Sequence, residues 1–308
     1  MIGKPLWRAD DITRAVRGQG LHEQAWSVRG VSIDSRTVVP GDLFIAIGGD
    51  VCDGHDFVAA AFKAGAAAAI VSRQPMQVPP EAPLVFVEDT FAALQDLARE
   101  GRARAKGKII AITGSVGKTS TKEMLRLSLG SVGNVYVGQD TFISPKGFLL
   151  ALANLPPDAD YGIVEMDLSC ASEPSVSSLL ARPDIAVITT IETGLSESFV
   201  FSEELADAMA KIFQGMGDKG VCVLGRSNPC YARFAAAAKK GGVKKILSFS
   251  DKEKADAMLR GRILSEEGSA VQAFIGGQKI AYSVGAPGAH HVENSLAALL
   301  TSFVASGK

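Results

Sequence analysis

Little in this sequence points to a metal-stapled or disulfide-stapled scaffold. Its four cysteines, Cys52, Cys170, Cys222 and Cys230, show no C-x-x-C spacing. Neither a zinc clip nor a disulfide framework is therefore expected, and the thiols read as idle groups of a reducing compartment. The four histidines, His22, His55, His290 and His291, are too scattered to suggest a metal cluster. Charge of one sign is lacking as well: 32 Lys and Arg stand against 33 Asp and Glu, a net charge of −1. A broad nucleic-acid footprint needs an excess of cations on one face, and Lys239-Lys240 with Lys244-Lys245 read instead as a solvated helix end. Long apolar runs are also missing. The most apolar stretch, Ala59 to Val71, is broken by Lys63 and Gly65 and falls short of a membrane span. Met1 to Pro5 carry no signal-peptide core. The expectation is a cytoplasmic protein with no membrane span and no nucleic-acid partner.

What is present is α/β patterning. Apolar residues make up 47% and charged residues 21% of a 308-residue chain, an ordinary globular balance at a length that predicts two domains. Up to about residue 105 the units are short: a helix near Asp10–Arg17, strands near Gly30–Ile33 and Leu43–Ile47, then a helix near Phe57–Ala64. Strands near Ala68–Val71 and Leu84–Val87 and a helix from Thr90 towards Ala105 complete an N-terminal α/β domain over residues 1–106. From Lys108 on, continuous apolar strands alternate with helices, as a mainly parallel sheet buried on both faces requires. The clearest strands are Ile109–Thr113, Tyr161–Met166, Ile185–Thr190 and Val221–Leu224. Helices fit at Ser120–Leu129, Pro174–Leu180, Glu203–Met216 and Pro229–Lys240, and a last one near Val292–Val304. Gly276-Gly277 turns one alternating run, Ala270–Ile275, into another, Lys279–Val284. These elements make a central domain over residues 107–308.

The strongest motif follows the strand Ile109–Ile112. Thr113-Gly114-Ser115-Val116-Gly117-Lys118-Thr119 is a short form of the phosphate loop, since Ile112 stands where the full G-x-x-x-x-G-K-[ST] pattern has its first glycine. Gly114 and Gly117 allow backbone N–H groups to converge on phosphate oxygens, and the helix beginning near Lys118-Thr119-Ser120 adds its positive end. In such a loop Lys118 lies on the outer phosphates and the Thr119 hydroxyl on Mg²⁺. ATP is the expected nucleotide, because no Asn/Thr-Lys-x-Asp guanine reader occurs.

With the loop in place the flanking segments resemble the Mur ligase family. Gly30-Val31-Ser32-Ile33-Asp34-Ser35-Arg36, Pro40-Gly41-Asp42-Leu43-Phe44-Ile45-Ala46 and Asp53-Gly54-His55-Asp56-Phe57 are similar to the segments that hold the UDP end of the family's substrate. The phosphate loop with Thr121-Lys122-Glu123-Met124 behind it is the second likeness. Gly285-Ala286-Pro287-Gly288 through His290 and Asn294, similar to the family's G-R-H-N-x-x-N segment near the adenine, is the third. The resemblance spans nearly the whole chain in family order. It implies UDP-substrate binding by Ser35, Arg36, Asp53, Gly54 and His55. It implies ATP binding by Thr113 through Ser120 with His290 and Asn294, and Mg²⁺ held by Thr119 and Glu165. Lys118 and Glu165 would be the catalytic pair. The implied reaction activates a carboxylate of a UDP-muramoyl-tripeptide with ATP and joins D-alanyl-D-alanine to it, releasing ADP and phosphate in peptidoglycan precursor synthesis.

Some family positions differ. The Gly-x-Asn-His-like run after Glu165 is Asp167-Leu168-Ser169-Cys170 here, and the substrate loop over Gly138 to Gly147 lacks both family Asn residues. Leu195 stands where the resemblance places a second-metal His, and Met209 where it places a Lys ligand. Lys211, two residues on, would point about 200° round a helix. Gly225 and Ser227 replace an Asn and an Asp near the nucleotide, and Ala289 and His291 replace an Arg and an Asn. Neither Leu nor Met supplies the hard oxygen that Mg²⁺ demands. The family's third, C-terminal domain does not lie in this sequence; the chain is a piece of a longer protein, or a partner supplies that part. Two function classes stay open: an ATP-dependent amide ligase, and a divergent homologue that binds ATP or UDP-sugar without turnover or acts on another acyl substrate.

Overall fold

A computed structural model describes residues 4–20, 25–49, 52–138, 145–168, 174–191 and 203–307. The chain forms two compact units, Met1–Ala105 with Leu149–Pro157, and Lys106–Phe148 with Asp158–Lys308. The first unit thus takes back a segment, Leu149–Pro157, that a simple division into 1–106 and 107–308 assigns to the second half.

The first unit contains β1 (Trp7–Arg8), α1 (Ala9–Val16), β2 (Gln19–Gly20), β3 (Ser27–Val28), β4 (Gly30–Ser32) and β5 (Asp42–Ile45). It continues with α2 (Val58–Lys63), β6 (Ala68–Val71), β7 (Leu84–Phe86) and α3 (Thr90–Arg104). Among the described residues its sheet runs β2-β7-β6-β5-β4, with β4 to β7 parallel and β2 antiparallel at the edge. Every residue of β5 and β6 is buried, which is why, Asp42 apart, these strands read as continuous apolar runs rather than alternating ones. Phe44, Val58, Ala61, Ala69, Val71 and Leu84 share one core cluster.

The returning segment is tied in by specific contacts. The Asn154 side chain accepts from Val31 N (2.8 Å) and donates to Val31 O (2.9 Å), so an amide group does the work of a neighbouring strand at the β4 edge. Trp7 Nε1 donates to Ala153 O (2.9 Å), and the Arg104 guanidinium stacks 3.3 Å from the Trp7 ring centroid. Helix α3 starts where the Asp89 carboxylate accepts from Phe91 N (2.7 Å) and Ala92 N (3.1 Å), a side-chain N-cap. Inside its last turns stands Gly101, where a Cβ would collide with the Leu152 carbonyl oxygen.

The second unit contains β8 (Lys108–Thr113), α4 (Lys118–Gly130), β9 (Val135–Val137), the start of α5 (Pro145–Ala153, in the first unit from Leu149 on), β10 (Tyr161–Glu165), α6 (Pro174–Ala181), β11 (Ile185–Ile188) and α7 (Glu203–Ala210). Then come β12 (Val221–Gly225), α8 (Tyr231–Lys240), β13 (Lys245–Ser250), β14 (Ala257–Ser265), β15 (Gly268–Ile275), β16 (Gln278–Val284) and α9 (Ala289–Ser306). The sheet order among the described residues is β16-β15-β14-β13-β12-β11-β8-β10-β9. Strands from β9 through β14 are mutually parallel, and β14-β15-β16 is an antiparallel meander. Strand β8 lies between β10 and β11: the chain runs from β8 to the β9 edge and then from β10 across to β11, so strand order reverses beside the carboxyl end of β8, the place where open α/β sheets bind ligands. Ile110 and Ile112 of β8, Leu125 and Leu129 of α4, and Val292, Leu296 and Leu300 of α9 form one cluster. Each such side chain contributes about 1.5–3 kcal/mol by leaving water.

Several elements differ from the sequence expectation. The helix expected over Glu203–Met216 ends at Ala210 and tightens into a 3-10 segment, Lys211–Gly215. Helix α8 begins at Tyr231 rather than Pro229, because Asn228 Oδ1 accepts from Cys230 N (2.9 Å) in a turn before it. Helix α5 and strands β9, β13 and β14 were not anticipated; β14 in particular is mostly exposed, and Arg260-Gly261-Arg262 interrupts its apolar residues. No helix among the described residues is long and apolar enough to cross a membrane. Burial pushes the Cys222 thiol up to about 12, and Cys170 lies outside the described residues.

Gly101→Ala should cost about 2 kcal/mol in chemical denaturation because the helix must move off Leu152. Gly130→Ala, with open space around the added Cβ, is the control and should be neutral or slightly stabilising.

Candidate nucleotide-binding site

The turn from β8 into α4 depends on two glycines. Gly114 (φ 145°) and Gly117 (φ 84°) both lie in the region closed to most side chains. A Cβ on Gly114 would collide with Thr189 Oγ1, and one on Gly117 would lie 2.5 Å from Asn294 Oδ1. The residues after β11 hold the turn shut. Thr189 Oγ1 donates to Val116 O (2.6 Å), Ser115 N donates to Thr190 O (3.2 Å), and Asn228 Nδ2 reaches Thr189 O (3.3 Å). Thr113 serves through its carbonyl, which accepts from Thr189 N (2.9 Å); its own buried hydroxyl has no partner among the described residues. Lys118 Nζ folds back over the loop to Gly114 O (2.6 Å). Helix α4 begins there, with Ser120 half-buried in its first turn and the unbonded N–H groups of a helix start directed at the loop mouth.

Glu165 ends β10, beside this loop because β10 pairs with β8 in parallel register, Glu165 opposite Ile112. Its Oε1 accepts from Thr119 Oγ1 (3.2 Å) and its Oε2 pairs with Lys122 Nζ (2.8 Å). Thr119 is exposed, whereas Lys122 is only 1% exposed. The Thr119 hydroxyl and Glu165 carboxylate form a hard-oxygen donor pair that fits Mg²⁺ chemically. No cluster of three or more His, Cys, Asp or Glu suited to a metal occurs among the described residues. The buried Lys122 stands in the segment behind the loop, with no role of its own among the sequence expectations. Its place three residues after Thr119 puts both on one helix face and was the available signal.

Helix α9 supplies the other wall. Gly288 (φ 110°) sets its start, and Asn294, 6% exposed, lies against Gly117. Asn294 therefore abuts the phosphate turn itself. His290 is exposed, its ring 4.1 Å from that of His291 and tilted at 45°. Burial, then the neighbouring His290, holds His291 below the usual imidazole range, while burial and then the Asp251 charge raise Glu293. At the ends of β12 and β13, the Ser227 and Ser250 hydroxyls meet at 2.8 Å and Arg226 lies 4.4 Å from the Tyr231 ring centroid.

In the first unit the residues singled out for a UDP-type ligand gather at the carboxyl ends of parallel strands. Ser35 and Arg36 follow β4, Asp53 to His55 follow β5, and Ser72 and Arg73 follow β6. Ser35 is half-buried; Arg36 is exposed and forms a fork with Asp34, Nη2 to Oδ2 2.6 Å. Gly54 is required for a close approach, since a Cβ there would lie 2.6 Å from Ile47 N. His55 is buried and used on both ring nitrogens: Nδ1 lies 2.6 Å from Asp53 Oδ1, and Ser72 N donates to Nε2 (2.9 Å). A backbone N–H can only donate, so Nε2 is the acceptor and the ring proton sits on Nδ1 facing Asp53. Arg73, absent from the sequence reading, donates to Asp53 Oδ2 (3.0 Å).

Of the two positions where the sequence departs from a second metal site, Leu195 lies outside the described residues. Met209 is 1% exposed on α7, an apolar core position. Lys211 opens the 3-10 segment and lies near enough to help depress Asp207, though Arg233 does most of that.

This geometry is that of a phosphate-loop α/β protein. Residues 112–302 match the Mur ligase middle domain, and residues 27–102 match the description "Mur ligase family, catalytic domain". The chain belongs to the Mur ligase family. It is 37% identical over 229 residues to the UDP-N-acetylmuramoyl-tripeptide–D-alanyl-D-alanine ligase of Rickettsia prowazekii (strain Madrid E), covering 74% of this chain and 51% of that protein. With the ligase of the same name from Bacillus subtilis (strain 168) it shares 30% identity over 299 residues, 97% of this chain and 63% of the relative. A crystal structure of MurF from Acinetobacter baumannii superposes with a TM-score of 0.82 at 27% identity, covering 99% of this chain and 66% of that one. The chain thus spans 51% and 63% of the two curated relatives' lengths.

The Asp53 cluster gives a pH signature. The His55 backbone N–H, then its ring and Arg73, hold the Asp53 carboxyl well below the usual carboxylate range. A depressed folded-state pKa stabilises above the unfolded value of about 3.9, and the gain is lost as pH falls towards the folded one. Asp53→Asn should therefore flatten the acid limb of a denaturation-midpoint profile below about pH 4; an unchanged limb would show that Asp53 does not carry the linkage.

Proposed function

We propose that this chain forms the substrate-binding and nucleotide-binding parts of an ATP-dependent, ADP-forming ligase of peptidoglycan precursor synthesis. That ligase joins D-alanyl-D-alanine to a UDP-N-acetylmuramoyl-tripeptide. The observation that carries the reading is the phosphate loop with Thr119 and Glu165 paired at its mouth (3.2 Å) in a chain of this family. The names of the relatives supply the substrates.

In this reading the backbone of Gly114 to Ser120 cradles the ATP phosphates and Lys118 swings from Gly114 O to the outer ones. Asn294 orders the turn, and His290 lies towards the nucleoside. Thr119 and Glu165 would hold Mg²⁺, which when bound neutralises phosphate charge. Lys118 then screens the anionic oxygens as the substrate carboxylate takes the terminal phosphoryl group, and the amine displaces phosphate to form the amide. Ser35 and Arg36 face the UDP end, while Asp53, Gly54 and His55 shape the loop after β5 that receives it. A third domain, in cis or from a partner, would close over ATP and align the amine. The cytoplasm, where thiols stay reduced, is the proposed location.

A second reading, nucleotide binding without turnover, is favoured by one observation: Met209 is 1% exposed, closed off where the family likeness places a Lys ligand. Mg-ATP, UDP-muramoyl-tripeptide and D-alanyl-D-alanine given to the full-length protein decide between them. Amide product with ADP release supports ligation; tight ATP binding without product supports the second reading; no ATP binding removes both. Lys118→Ala should weaken ATP binding about tenfold to a hundredfold, the loss of one charge-assisted hydrogen bond.

A further inference from the structure

Glu165 is held by both oxygens, and the two holders differ. Thr119 and Lys122 lie three residues apart on α4 and so share a face towards the end of β10. Thr119 is exposed at the loop mouth and meets Oε1 at 3.2 Å. Lys122, 1% exposed, meets Oε2 at 2.8 Å, and the Glu165 side chain itself is 23% exposed. An ammonium at that depth needs a close anionic partner, and Glu165 supplies it. The pair therefore persists in every state in which α4 stays packed on β10.

We propose that Lys122 selects the divalent cation: by keeping Glu165 Oε2 for itself it leaves a single carboxylate oxygen, Oε1, to face the ion beside Thr119. The inference rests on the reading that a nucleotide and its cation bind at this loop. The physical argument is one of denticity. Mg²⁺ is octahedral with bonds of about 2.0–2.1 Å, keeps several waters and needs only one or two carboxylate oxygens. Ca²⁺ takes roughly 6–8 oxygens at about 2.3–2.6 Å and gains from a two-oxygen carboxylate. The positive charge of Lys122 weakens any divalent cation alike, so charge alone does not discriminate; the captured oxygen does.

The test is titration of the protein with a fluorescent ATP analogue in Mg²⁺, in Ca²⁺ and in a chelator, for the wild type and for Lys122→Met, whose unbranched side chain fills the space without a donor. Wild type should bind more tightly with Mg²⁺ than with Ca²⁺. In Lys122→Met the Mg²⁺-to-Ca²⁺ ratio of affinities should fall about fivefold or more, mainly by a gain with Ca²⁺. A ratio unchanged within about twofold, or an equal loss with both cations as a merely structural lysine would give, overturns the proposal. Absence of binding by wild type in any cation removes the nucleotide reading and this inference with it. Should Lys122→Met fail to fold, the wild-type protein crystallised with Mg²⁺ and a non-hydrolysable ATP analogue decides. One Glu165 oxygen on the metal with Oε2 still on Lys122 supports the proposal, and two-oxygen coordination overturns it.

Discussion

The turn between β8 and α4 exists because two of its residues have no Cβ, and the rest of the second unit is arranged around that fact. Gly114 leaves room for Thr189 Oγ1, and Gly117 leaves room for Asn294. Thr189 can then bond back to Val116 O (2.6 Å), which joins the end of β11 to the loop. Asn294 can lie flat against the turn, which brings the start of α9 to the helix mouth. A side chain at either glycine would separate these elements and remove the concavity in which N–H groups converge. The core follows the same logic, since Ile110 and Ile112 leave β8 straight into the cluster shared by α4 and α9.

Much of this was legible in the sequence. The loop is local, its glycines and lysine lie within seven residues, and the apolar run before it is what a doubly covered parallel strand must look like. The partners of the loop were not legible in the same way. Thr189 and Asn228 meet it through strand order, and nothing in their local sequence marks them out, whereas Lys122 is signalled only by its helix phase relative to Thr119. The elements missed have a common cause as well. β14 is a meander strand with most of its residues exposed, so it shows neither a continuous nor a cleanly alternating pattern. The helix expected through Met216 ends early because the chain tightens to 3-10 geometry at Lys211, a change with similar residue spacing and no Gly or Pro to mark it.

In the first unit, the residues proposed to meet a ligand also carry local structural duties. Asp, Gly and His in succession could mark a binding loop or a turn, and the geometry shows turn duties in detail. Gly54 admits the Ile47 backbone, Asp53 caps the 3-10 turn Gly54–Phe57, and His55 bridges that turn to Ser72 at the end of β6. A histidine engaged at both ring nitrogens acts on a ligand chiefly by fixing the loop that meets it. Arg36 and Arg73, exposed or half-exposed and each oriented by carboxylates, are the groups at this edge still able to face an anion.

The contrast between the Glu165 site and the Met209 position follows from what each costs to alter. Glu165 balances a buried ammonium, so replacing it removes the carboxylate that faces Lys122 and carries a stability cost independent of any metal. Met209 balances nothing. An apolar side chain in an apolar position is stable by itself, and restoring a charged ligand there would demand new partners as well as a new residue. An apolar residue can therefore occupy position 209 while the Thr119–Glu165 pair is kept, for reasons of stability alone. The Glu165 oxygens therefore belong to the fold as much as to the proposed reaction, and Met209 belongs to the core.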